Sequence, residues 1–201
     1  MFHTSFGRHL LKSLGKSMMD KETVEIFCSH CDWAHQSWLM RKHLYDENPY
    51  KEAIKHAHHA YFFSRLEKIL QEYWMHEVSK LHDPAHQNGF DNLSVEYIFK
   101  SGAWSQEVKD KLRVLNKKMN KFAQNLKPAR NKLLSHKDKN VILSGATLGC
   151  FDEGEDIMYF EALSEFANEV HLAAVGTPYM FDDLTQNDVA CFMSTFTRGL
   201  A

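Results

Sequence analysis

Proline and glycine are scarce in this chain, four and nine in 201 residues, and they gather between long periodic runs. That distribution argues against many short strands and favours few, long helices. Long apolar runs are missing too, so no segment is expected to cross a bilayer. Arg8, His9, Lys12 and Lys16 interrupt the first residues, which leaves no apolar core of signal-peptide length. Only four cysteines occur, at positions 28, 31, 150 and 191. Without a secretion signal they set the expectation of a cytoplasmic protein with reduced thiols. A strong charge of either sign is also absent. The formal net charge of −2 excludes the global basic field of a DNA-coating protein, so any nucleic-acid site must be a local patch. No P-loop, dinucleotide glycine fingerprint, serine nucleophile elbow or zinc-protease motif is present.

The chain is rich in core-forming residues, 44% hydrophobic and 12% aromatic, which suits one folded domain rather than disorder. In residues 1–20, Phe2, Phe6, Leu10, Leu14 and Met18 recur every fourth position among basic residues. This is expected to be an N-terminal arm, separate from a helical domain over 21–201. Asp20 is a cap for a helix from Lys21 to about Asp46, and Asn48-Pro49 breaks it. A second helix is expected from about Tyr50 to Leu81, with Phe62, Leu66, Ile69 and Tyr73 facing inward. Asp83-Pro84 and Gln87-Asn88-Gly89 end it. Ser94 starts a short helix, and Ser105 caps the one with the cleanest pattern. There Val108, Leu112, Leu115, Met119, Phe122 and Leu126 alternate by four and three, as the seam of a helical bundle does. Pro128 predicts a kink or restart. Residues 144–154 read as a loop, and further helices are expected over 159–175 and 188–197.

The segment Arg130-Asn131-Lys132-Leu133-Leu134-Ser135-His136 combines groups that could cleave RNA. Arginine offers a planar fork of donors that matches phosphate oxygens two at a time. Histidine exchanges a proton near neutral pH. Asparagine can orient a ligand or hold the imidazole. RNA brings its own nucleophile, the ribose 2′-hydroxyl, so neither serine nor cysteine is required. With 13 histidines in the chain such a spacing arises readily by chance, and its context adds weight. The segment follows a long amphipathic helix and a proline, and lysines lead up to it and past it, among them Lys127, Lys132 and Lys137. These three are the candidate substrate-binding residues, because a local basic path is what RNA would follow. On one unbroken helix, Arg130 and His136 would lie about 120° apart around the axis and roughly 9 Å along it. A bend before His136, or a two-fold partner, would be needed to bring the groups together.

Arg130-Asn131-x4-His136 resembles the signature of the HEPN superfamily, an arginine followed after four to six residues by histidine. The wider layout looks like the abortive-infection branch of that superfamily, the AbiU-two-like proteins. The matching pieces are Leu81-His82-Asp83-Pro84, then Leu93-Ser94-Val95-Glu96, then 130–138. The resemblance implies an all-α, single-domain helical bundle of the HEPN type, here with extra terminal helices. It further implies a homodimer that pairs two Arg/His motifs in one cleft, and a metal-independent endoribonuclease needing no cofactor. Such a protein would act on RNA as a toxin or phage-defence effector, with an antitoxin or other protein as a possible partner and no membrane. Arg130 would stabilise phosphate, His136 would act as acid and base, and Asn131 would support both. The alternative implied by inactive members is a catalytically silent module that binds nucleic acid, nucleotide or a protein partner. In one HEPN subtype a tyrosine soon follows the motif histidine. Here Lys137-Asp138-Lys139-Asn140 stands instead, so control by modification at that place is not implied.

Two rival constellations exist. Cys28, Cys31 and His35 share one helical face at spacings that could bind a metal, although a buried cysteine pair is the commoner meaning of such a pattern. His56, His58 and His59 form a second group, without the facing Glu-x-x-His partner that a di-metal bundle requires.

Overall fold

The computed structural model describes residues 19–56, 59–131, 139–144, 149–182 and 184–199. These form an all-α fold with one minimal hairpin. Helix α1 spans Lys21–Arg41 and begins where Asp20 turns its carboxylate onto the backbone N–H groups of Glu22 and Thr23, at 3.0 and 3.3 Å. Val24, Phe27, Cys31 and Trp38 carry its buried stripe. The helix then widens to a π turn over Lys42–Asp46, so the helical run ends where the sequence suggests, with its last turn π and not α. Asn48 is buried and starts the next element, its Oδ1 accepting from the Tyr50 N–H at 2.8 Å. Helices α2 (Lys51–His56) and α3 (Ala60–Leu81) follow within the span expected for one helix, and His59 just before α3 has φ −104° and ψ 17°, outside helical geometry.

Asn88 and Gly89 both take positive φ, 54° and 85°, which suits a tight two-residue hairpin. They join strands β1 (His86–Gln87) and β2 (Phe90–Asp91). Helix α4 (Val95–Ser101) is capped by Ser94, and α5 (Gln106–Ala129) by Ser105, each hydroxyl accepting an N–H at 3.3 Å. The chain continues through α6 (Lys139–Ser144), α7 (Glu155–Val175) and α8 (Leu184–Arg198).

Helices α1, α3, α5 and α7 enclose the main core. Its centre is aromatic: Trp38 stacks on Phe160 with ring centroids 4.6 Å apart, and Phe122 lies 5.0 Å from Tyr159. The stripe of α5 is buried as its spacing predicts, from Leu112 through Leu126. Pro128 does not break it, for α5 runs on to Ala129. A smaller cluster of Leu44, Ile54, Phe63 and Met193 holds α2, the π turn and α8 to the start of α3.

The inward face of α3 requires a correction. Phe62 and Ile69 are each 61% exposed and Tyr73 is 39% exposed, whereas Phe63, Trp74, Val78 and Leu81 are buried. Two apolar stripes run along this helix, and its neighbours bury the other one. Phe63→Ala is therefore expected to cost about 3–5 kcal/mol of stability, as loss of a buried aromatic does. Phe62→Ser should shift it by less than about 0.5 kcal/mol. Urea unfolding of the two variants, followed by circular dichroism, measures both.

Candidate functional site

Arg130 stands at the end of α5, where the last turn widens to π geometry at residues 130 and 131. Asp83 stands just past the end of α3, and its chain direction is set by neighbours. Glu96 of α4 accepts the Ala85 N–H at 2.8 Å, and Asn92 donates to the Pro84 carbonyl at 2.7 Å. These bonds hold the Asp83-Pro84 element against α4. From there the carboxylate meets the Arg130 guanidinium at both oxygens. Nη1 lies 2.8 Å from Oδ1, and Nη2 donates to Oδ2 at 3.0 Å. A two-pronged pair of this kind fixes the plane of the guanidinium as well as its position. The side chains are 26% and 17% exposed, so the pair is shielded but still reachable from solvent.

Beside the pair a cavity of about 170 Å³ opens between the ends of α3 and α5. Lys127, one turn before Arg130, and Asn131, one residue after it, are both exposed at this cavity. His82 lines it from α3. Its Nε2 lies 3.1 Å from the Tyr159 hydroxyl, and it shares a further hydrogen bond with Asn120. Burial pushes the imidazole down to about 4, against which the Asn120 bond works only partly, so the ring is neutral at physiological pH. Burial likewise keeps the Tyr159 phenol protonated. His82 is thus an uncharged group in a cavity whose charged lining, among the described residues, is Asp83, Lys127 and Arg130.

Gly149 brings the chain back onto this region with φ of +78°. A Cβ there would come within 2.7 Å of Met75 and 2.9 Å of Ala129, so only glycine fits this approach to the last turn of α5.

The structure thus places Arg130, Asn131 and Lys127 together. His136, Lys132 and Lys137 lie outside the described residues. Sequence reasoning took Asp83 as a helix end and as part of the Leu81-His82-Asp83-Pro84 element of the family layout, but did not pair it with Arg130, 47 positions away. His82 carries no local signal that separates it from the other histidines. The basic path is thinner than its lysine count suggests. Lys111 is engaged by Glu169 at 3.3 Å and Lys121 by Glu155 at 2.6 Å.

The rival constellations are built differently from metal sites. Cys28 and Cys31 are fully buried, and burial pushes both thiols up, Cys28 to about 12, so neither is a thiolate. Cys28 donates to the Ala167 carbonyl at 3.6 Å. His35 packs against the rings of Trp38, Phe160 and Phe181, and burial lowers its pKa. His56 and His59 are exposed, and His58 lies outside the described residues. Among the described residues no group of three or more candidate ligands converges. No described helix is long and apolar enough to cross a membrane.

His82 gives the fold a pH dependence of definite sign. Its ordinary value is 6.5 and its folded value is about 4. Between them the unfolded chain binds the extra proton, so stability rises with pH across this window and is lost on acidification through it. The contribution is ~3 kcal/mol at most, by the usual conversion of a pKa difference. In His82→Gln the decline between pH 6.5 and 4 should be shallower, with a residual slope from His35, which shifts the same way. Thermal melts across that range test this. Equal slopes in the two proteins would refute it.

The family model described as AbiU2, of the HEPN class, matches residues 19–190. No curated protein and no solved structure matches the chain. The match covers every element that builds the site, from α1 through the Asp83–Arg130 pair to α7, and reaches into the first half of α8. The all-α bundle agrees with it, and the chain belongs to the HEPN AbiU2 family.

Proposed function

We propose that this protein is a metal-independent endoribonuclease that acts as a homodimer, in the role of a toxin or abortive-infection effector. The observation that carries the reading is the guanidinium of Arg130, held in plane by Asp83 at the mouth of a polar cavity. The Asp83 carboxylate occupies one edge of that fork. A phosphate approaching the other would meet oriented donors that need no reorganisation as charge develops. Lys127 adds a second positive charge one turn away, and membership of an abortive-infection family supports the same chemistry.

In this scheme the ribose 2′-oxygen attacks the adjacent phosphorus and gives its proton to an imidazole. The bond to the 5′-oxygen breaks, and that oxygen takes a proton from a second imidazole. The products are a 2′,3′-cyclic phosphate and a free 5′-hydroxyl. His136 is the proton carrier by its place in the Arg-x5-His motif, and its copy in the partner subunit supplies the second ring. Arg130 stabilises the phosphorane, and Asn131 supports the motif. Lys132 and Lys137 would hold the flanking phosphates. A silent RNA-binding module is the second reading. It is favoured by one feature, the engagement of Arg130 with Asp83, which a substrate must share rather than simply fill.

RNA incubated with the protein in excess chelator separates the two readings. The expected result is cleavage to 2′,3′-cyclic ends by the wild type. His136→Ala should lose about 10²–10⁴-fold in rate, the usual share of a general acid or base. Arg130→Lys should also be impaired, because lysine keeps the charge but not the fork. Intact RNA with the wild type, or equal rates in all three, would leave only the binding module.

A further inference from the structure

One face of the bundle stays apolar and uncovered among the described residues. Trp33 on α1 is 50% exposed, and Ile26, seven residues before it, lies on the same face of that helix. Tyr73 and Ile69, four residues apart on α3, are exposed as well. The two faces adjoin, because the Trp33 indole donates to the Tyr73 hydroxyl at 2.7 Å and the rings meet edge to face. Beside this aromatic pair a groove opens between α1 and α3. Its charged lining is Glu77 and Lys80 of α3, Asp83 past the end of that helix and Asp91 of β2, with His30 of α1 beside them. Lys80 pairs with Glu77 at 2.7 Å, Arg130 with Asp83 and His86 with Asp91. Next to Ile26, Glu25 is exposed, as is Glu22 one turn earlier, and neither has an ion pair among the described residues. Carboxylates outnumber cations on this face, so it repels an RNA strand and attracts a basic segment.

The chain itself carries such a segment. Residues 1–18 hold Arg8, Lys12 and Lys16 and no carboxylate, with Phe2, Phe6, Leu10, Leu14 and Met18 at every fourth position. They join the bundle at Met19, which packs against the main core. Asp20 follows with φ of −62° and ψ of 137°, an extended backbone that breaks helical continuity with α1. A chain that turns there can double back along α1 instead of prolonging it. As a helix, residues 2–18 span about 24 Å, and Trp33 lies about 20 Å along α1 from Asp20. The reach is sufficient.

We propose that residues 1–18 dock in this groove as an amphipathic helix, folded back on α1 with their apolar positions over Ile26, Trp33 and Tyr73. An amphipathic helix in an apolar groove is a common mode of recognition. Tethering raises the local concentration of the arm to about the millimolar range, so a contact too weak to hold a separate partner is filled in cis. The family match begins at residue 19, so this cover lies outside the matched domain. The assignment stands apart from the ribonuclease reading and does not depend on it.

Trp33 reports on the groove directly, because Trp38, Trp74 and Trp104 are 5%, 1% and 7% exposed. Acrylamide quenching of the whole protein, with Trp33→Phe as the reference, measures whether the indole is covered. The wild type should be quenched scarcely more than Trp33→Phe, at every protein concentration. Replacing the apolar face of the arm (Phe6→Ser, Leu10→Ser, Leu14→Ser) should raise the quenching and shift the emission to the red. Reversing its charge (Arg8→Glu, Lys12→Glu, Lys16→Glu) leaves the apolar side chains in place and should act in the same direction. Strong quenching of Trp33 in the wild type, or no change with either altered arm, would overturn the proposal. So would protection that fades on dilution, which assigns the groove to a second copy, or protection that appears only when single-stranded RNA is added.

Discussion

Helices α5 and α7 meet along a seam of large apolar side chains, and the position of nearly every other element follows from it. Leu112, Leu115, Met119, Phe122 and Leu126 form one side, and Tyr159, Leu163, Phe166 and Val170 belong to the other. Close packing of this kind tolerates little displacement, because each side chain fills the gap left by its neighbours. The same two helices reach out at their polar edges. From α7 the Tyr159 hydroxyl shares a hydrogen bond with His82 at the end of α3, and Asp156 accepts from the Trp38 indole of α1 at 2.8 Å. The seam thereby sets the orientation of the two outer helices, and with α3 it sets where Asp83 must lie. The functional end of the molecule inherits its geometry from hydrophobic burial several turns away.

Much of this was readable in the residues themselves. Asp20, Ser94 and Ser105 announce helix starts because a short polar side chain can satisfy orphan N–H groups, an entirely local effect. The α5 stripe was readable because only one face of that helix is apolar. Helix α3 was not, for it carries two apolar stripes and the choice between them is tertiary. The π turn at Lys42–Asp46 and the short hairpin at Asn88-Gly89 are also local, but they are small departures from patterns that equally permit a longer helix or a plain turn. At the site, the arginine and the asparagine stand out in the sequence, while the carboxylate that pairs with the arginine does not. An acidic residue before a proline is first of all a helix terminator, and no spacing rule joins it to a residue on another helix.

The charge distribution shows how composition can mislead. The lysines of α5 look like one basic face in the sequence. In the fold Glu155 and Glu169 of α7 neutralise Lys121 and Lys111, so the outer part of that face is a set of ion pairs with a neighbour. Among the described residues Lys117, Lys118 and Lys127 stay outside such pairs, and the charge of Arg130 is met by Asp83. Exposed ion pairs of this type contribute little to stability. Their effect here is on how much of the lysine charge of α5 stays unpaired.

Pro128 removes one rung from the last turn of α5 without ending the helix. A turn that lacks a rung is held less firmly from within, and terminal turns open more easily than central ones. The two-pronged grip of Asp83 therefore clamps the helix from outside, anchored through Pro84 and Ala85 to α4. The arginine is steadied by a segment far away in the chain, and α5 and the loop after α3 can loosen only together. Loss of the Arg130–Asp83 pair would therefore be felt first in the last turn of α5, which is tied down from outside at the position where its own ladder is weakest.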